Sequence, residues 1–198
     1  LETHPMDFTR EAEVAIDRFT LRSKDGSYHF DFRDILINSL QKQLQIRSFD
    51  IIPRSGEKEF AAGFHFQRDR YEVRLSGISL GDIDMNSLID KHLSASALTI
   101  RDTRAVIYRD LHKPLEKKSK VGNYPSQLLA GLDFPVHITK ASLLHAYIAY
   151  RENEEVSDSI GVVSFSGSKL NISNITNVPD SIRENNKLHI GFTTRALG

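Results

Sequence analysis

The stretch Tyr28-His29-Phe30-Asp31-Phe32 sets three aromatic rings on one side of an extended chain, with a histidine and a carboxylate on the other. Successive side chains of a strand point to opposite faces, so this alternation marks half-buried β structure. The same period of two recurs in Phe64-His65-Phe66, in Tyr71-Glu72-Val73-Arg74-Leu75, at Val106 and Tyr108, at Ile148 and Tyr150, and in Leu188-His189-Ile190-Gly191-Phe192. Lys24-Asp25-Gly26-Ser27 and Gln67-Arg68-Asp69-Arg70 fall between such runs and read as hairpin turns.

Beyond single strands, the opening stretch has a second copy. Tyr28, Phe30, Phe32, Ile35 and Ile37 align without a gap on Tyr71, Val73, Leu75, Ile78 and Leu80, at an offset of 43 residues. Farther on, Val106-Ile-Tyr108-Arg109-Asp110 matches Ile148-Ala-Tyr150-Arg151-Glu152 at an offset of 42. Repeated hairpin units cannot each bury an apolar face alone, and pairing edge to edge turns them into one long twisted sheet. The expected fold is therefore mainly β: an elongated, curved antiparallel sheet of repeated hairpin units, with one or two short helices. The chain reads as one β-rich domain over 1–198, with repeat units at 14–55, 60–110 and 136–178.

Helical signals are few. Asp84 precedes Met85-Asn-Ser-Leu88-Ile89 as an N-cap would, predicting two turns to about Leu93. Tyr124-Pro125-Ser-Gln-Leu-Leu-Ala-Gly131-Leu132 predicts a second helix, with proline in its first turn. Between them, Asp110–Asn123 carries Lys113, Lys117, Lys118 and Lys120 and reads as a solvated loop.

Composition removes several classes of function. Lys plus Arg and Asp plus Glu are 26 each, so the chain lacks the basic excess of a nucleic-acid binder and any global attraction to anionic lipid. With 39% hydrophobic residues it is too apolar for a disordered chain. There is no cysteine, hence no disulfide scaffold, thiolate metal site or cysteine nucleophile. The eight histidines show no H-E-x-x-H spacing, so no metal is expected. No nucleophile elbow, phosphate loop or dinucleotide pattern is present, and paired carboxylates such as Glu154-Glu155 sit in polar surroundings. The expectation is a non-enzyme without a cofactor. No apolar run reaches the ~18 residues of a membrane span. The ends, Leu1-Glu2 and Leu197-Gly198, read as cuts within a longer protein.

Four stretches in order carry a family resemblance: Tyr71–Leu80, Leu98–Asp110, Tyr124–Leu129 and Ile148–Glu152. Gly161–Phe165 and Asn174–Asn177 follow them. Across roughly residues 60–178 the chain resembles the AsmA-like envelope proteins of Gram-negative bacteria, especially those of the Bacteroides group. The resemblance implies a periplasmic β-groove of the bridge-like lipid-transfer type, tied to the inner membrane by an anchor outside this chain. Its partners would be phospholipid or another acyl lipid, and other envelope proteins. The implied role is lipid handling or transport between membranes, or outer-membrane assembly. The groove candidates are Phe30, Phe32, Phe64, Phe66, Tyr71, Val73, Leu75, Val106, Tyr108, Ile148 and Tyr150. The alternative is a structural or protein-binding envelope domain whose core is closed by its own helices. A carbohydrate-binding sandwich is a weaker reading, because the chain has no tryptophan for a sugar platform.

Overall fold

A computed structural model describes residues 11–116, 133–156, 159–178 and 188–197. Eight strands form one sheet in sequence order: β1 (Glu13–Arg22), β2 (Tyr28–Asn38), β3 (Gln43–Pro53), β4 (Arg70–Gly81), β5 (Leu93–Asp110), β6 (Val136–Asn153), β7 (Ile160–Thr176) and β8 (His189–Leu197). Among the described residues two short helices stand in the connections, α1 (Glu57–Ala62) between β3 and β4 and α2 (Met85–Ile89) between β4 and β5. Among the described residues β1 and β8 are the two edges, and the sheet is not closed into a barrel.

The mainly β reading holds, with one refinement. β5 and β6 run parallel, whereas every other neighbouring pair is antiparallel. A parallel pair needs a long return, and residues 111–135 supply it. The predicted helix at Tyr124–Leu132 and the lysines at 117, 118 and 120 fall in that return, outside the described residues.

Turn chemistry explains the first hairpin. Gly26 takes φ +71, Asp25 accepts from Ser23 Oγ and the Ser27 amide, and Gly26 N–H donates to Ser23 O. These bonds, Ser23's first, hold the Asp25 carboxyl down to about 2. Asp84 caps α2 as expected, accepting from the amides of Asn86 and Ser87, but the helix ends at Ile89 because Leu93 already belongs to β5.

The run Phe64-His65-Phe66 is not a strand. α1 and an irregular stretch occupy 57–69, and only Arg70 onward is extended. Phe60 and Phe64 pack ring to ring at 5.1 Å, and Arg68 lies 4.4 Å over the Phe64 ring. Two apolar residues around a histidine are too short a pattern to separate a strand from a turn beside a helix.

Strand alternation is broken along two lines that cross the sheet. On the first lie Asp34 (φ 49) in β2 and Gly77 (φ 62) in β4, then His145 (φ 47) and Gly167 (φ 57) beside the bulges of β6 and β7. On the second lie Lys42 (φ 50) just before β3, Asp82 (φ 52) just after β4, and Asn174 (φ 61) within β7. A left-handed residue inside a ladder disrupts the period of two and lets two consecutive residues share a face. Arg33 with left-handed Asp34 is such an exposed doublet, flanked by half-buried Phe32 and Ile35, and in β5 the doublet Arg101 with Asp102 lies across from Gly77 and Ser76, between buried Ile100 and Thr103. The slip keeps Ile35 and Ile37 on the side of Phe30 and Phe32. Regular alternation would have put them beside Asp31 and Arg33.

Candidate functional site: an apolar sheet face

Because the slips are in step, apolar residues stack in rows across all eight strands. One row runs Ile16, Ile35, Ile46, Ile78, Ile100, Leu143, Leu170, Phe192. The next toward the second slip runs Val14, Ile37, Leu44, Leu80, Leu98, Ala141, Ile172, Ile190. On the other side of the first slip runs Leu21, Phe30, Ile51, Val73, Ala105, Ile148, Phe165, Ala196. Between them lie Phe19, Phe32, Phe49, Leu75, Thr103 and Ala146. The rings of Phe32 and Phe49 stack at 4.4 Å, with Phe19 at 6.0 Å from Phe32.

The two ends of this face are closed differently. At one end α2 packs Met85 and Leu88 on a cluster of Leu80, Ile83, Ala95, Val136 and Ile138. At the other, Phe60 of α1 is buried and meets Tyr28 at 5.8 Å. The Tyr71 amide donates to Tyr28 Oη, and Arg109 holds Asp69 through two bonds of 2.7 and 2.8 Å. On the reverse side of the same end, Arg151 reaches Glu57 at 3.3 Å. Among the described residues no second layer spans the face between those ends. Phe19 stays 47% exposed and Phe192 51%.

The opposite face is charged. Asp31 is buried yet accepts from Arg18 at 2.8 Å and from Arg33 at 2.9 Å. Arg18's hydrogen bond, joined by Arg33's, holds its carboxyl below the usual carboxylate range against the opposing effect of desolvation. Arg74 donates to Asp50 at 2.8 Å, Arg104 lies 4.7 Å over the Tyr147 ring, and Arg47 pairs with Asp34. Such pairs keep this face solvated.

The sheet register sorts the groove candidates into separate places. Phe30, Val73 and Ile148 share one row, with Phe32 and Leu75 in the row on one side of it and Tyr71 and Tyr150, each opposite Ile107, in the row on the other side. Phe64 and Phe66 lie off the sheet beside α1. Val106 and Tyr108 fall on the charged side: Val106 pairs with Glu72 and Ala149, and Tyr108 with Arg70 and Arg151. Their match to Ile148 and Tyr150 used an offset of 42, but β5 and β6 pair at an offset of 43, and a one-residue slip exchanges the faces. The residues that do face Ile148 and Tyr150 are Ala105 and Ile107.

Sequence reading passed over Val14, Ile16, Phe19 and Leu21 of β1 and Leu44, Ile46, Phe49 and Ile51 of β3. Their signal is two apolar pairs separated by a doublet, the same pattern in both strands. Among the described residues no group of three His, Asp or Glu side chains is placed to hold a metal ion. No described helix is long and apolar enough to cross a membrane. No protein family, characterised protein or solved structure matches the chain.

Proposed function

We propose that this protein holds acyl chains against the apolar face of its sheet, as a non-enzymatic module of a Gram-negative envelope. In this reading it works in the periplasm, and the full-length protein is anchored in the inner membrane. The supporting observation is the three rows that stay apolar through eight successive strands while the reverse face carries paired charges. Burial of an acyl chain yields about 0.8 kcal/mol per CH₂ and needs surface area, not a reactive group. Such a face suits lipid handling, transport between membranes, or outer-membrane assembly. The charged reverse face keeps the sheet wettable while the other side takes up lipid.

The test is uptake. Delipidated protein is incubated with vesicles of phosphatidylethanolamine and phosphatidylglycerol, separated from them, and weighed by native mass spectrometry. Protein carrying phospholipid is the expected result, with less carried when Phe19 and Leu21, both exposed on the edge strand, are changed to serine. Protein that never takes up lipid would favour the structural, protein-binding alternative.

A further inference from the structure

β1 pairs with β2 on one side, and among the described residues no strand pairs with its other side. All ten of its residues are exposed. An edge of this kind is a template for another strand. The sequence of β1, Glu13-Val-Ala-Ile-Asp17-Arg18-Phe-Thr-Leu-Arg22, is complementary to itself when reversed. About a two-fold axis between Asp17 and Arg18, Glu13 opposes Arg22, Val14 opposes Leu21, Ile16 opposes Phe19 and Asp17 opposes Arg18. Every acid meets a base, and every large apolar side chain meets another.

We propose that two copies of this chain join antiparallel through their β1 edges in this register, fusing the two sheets into one. The proposal does not depend on the acyl-chain reading.

The backbone supports the same register. Ser39 N–H donates to Ala12 O, so residues 12, 14 and 16 direct their backbone groups toward β2. Ser23 N–H donates to Tyr28 O, so 23, 21 and 19 do the same. The phase slip between Ile16 and Phe19 lets both hold. The outward groups are then those of 13, 15 and 17 and of 18, 20 and 22. The two-fold register sets outward against outward throughout: 13 with 22, 15 with 20, 17 with 18. Arg18 uses Nε and Nη2 on Asp31, which leaves Nη1 to face Asp17 of the second copy. An axis normal to the sheet keeps both apolar faces on one side, so the rows continue from copy to copy.

Sedimentation of the chain should show reversible association to twice its 22.4 kDa. E13R and R22E each set like charges opposite one another, and each should weaken association by roughly threefold to tenfold. An equimolar mixture of these two variants restores opposite charges and should recover association as a heterodimer. The register is read directly by cysteines, since the chain has none of its own. Val14 and Leu21 of opposing copies would form a non-hydrogen-bonded pair with Cα atoms about 4.5 Å apart, within disulfide reach. V14C mixed with L21C should give a disulfide-linked pair under mild oxidation, and neither variant should do so alone. A wild-type chain that stays monomeric at every concentration would overturn the proposal. So would V14C linking to itself, or a mixture of V14C and L21C that never links.

Discussion

The side chain of Arg101 in β5 crosses Gly77 in β4, where an added Cβ would lie 3.0 Å from its Cδ and 3.1 Å from its Cβ. Gly77 also takes φ +62 at the first slip line, where a side chain is strained whatever the space. Glycine is thus required there twice over, and the slip it makes keeps Ile78 and Leu80 on the apolar side.

Gly77→Ala should therefore destabilise the fold by at least about 1–2 kcal/mol, the usual cost of left-handed backbone for a residue with a Cβ. Gly81→Ala is the control. It ends the same strand with nothing within 4 Å of the added atom, and should change stability little. Urea midpoints of the two variants decide the point.

Asp31 gives the charged face a pH dependence. Its carboxyl ionises below the ordinary ~3.9 in the folded chain, first because Arg18 donates to it and then because Arg33 does. A depressed folded-state value means that the contribution is whole above the unfolded value and is lost as pH falls through the folded one. Asp31→Asn should be less stable than the parent at pH 7, and the gap should narrow below pH ~4. Thermal melts between pH 2 and 7 measure both slopes.

Thr103 interrupts the apolar rows. It is buried between Leu75 and Ala146, and among the described residues its hydroxyl has no hydrogen-bond partner. Thr103→Val keeps the shape and removes the unpaired hydroxyl, so it should stabilise the protein by about 1 kcal/mol. A urea titration that shows a loss instead would mean that the hydroxyl is satisfied.

Much of this fold was legible because the repeat and the sheet share one number. Phe30 and Val73 are both paired with Ile51, from opposite sides, and Phe32 and Leu75 are both paired with Phe49. The 43-residue offset is the distance between two strands that run in the same direction past the same slip. The cap at Asp84 was legible too, and Asp84→Ala should cost about 1 kcal/mol. The parallel β5–β6 pair was not, because strand direction depends on the connection and not on alternation. Nor was the side on which Val106 and Tyr108 fall, since an error of one residue between offsets of 42 and 43 reverses it. α1 was hidden because its six residues carry only Phe60 and Ala61 as buried positions, too few for a helical period.

The central claim is that acyl chains lie on one face of the sheet and not on the other. Photolabelling with a phospholipid bearing a diazirine near the end of its acyl chain tests it most directly, with the labelled residues located by peptide mass spectrometry. The account predicts label at Phe19, Phe32, Phe49 and Leu75 and none at Arg74, Arg104 or Tyr147. Label spread equally over both faces, or no label on the sheet at all, would contradict it.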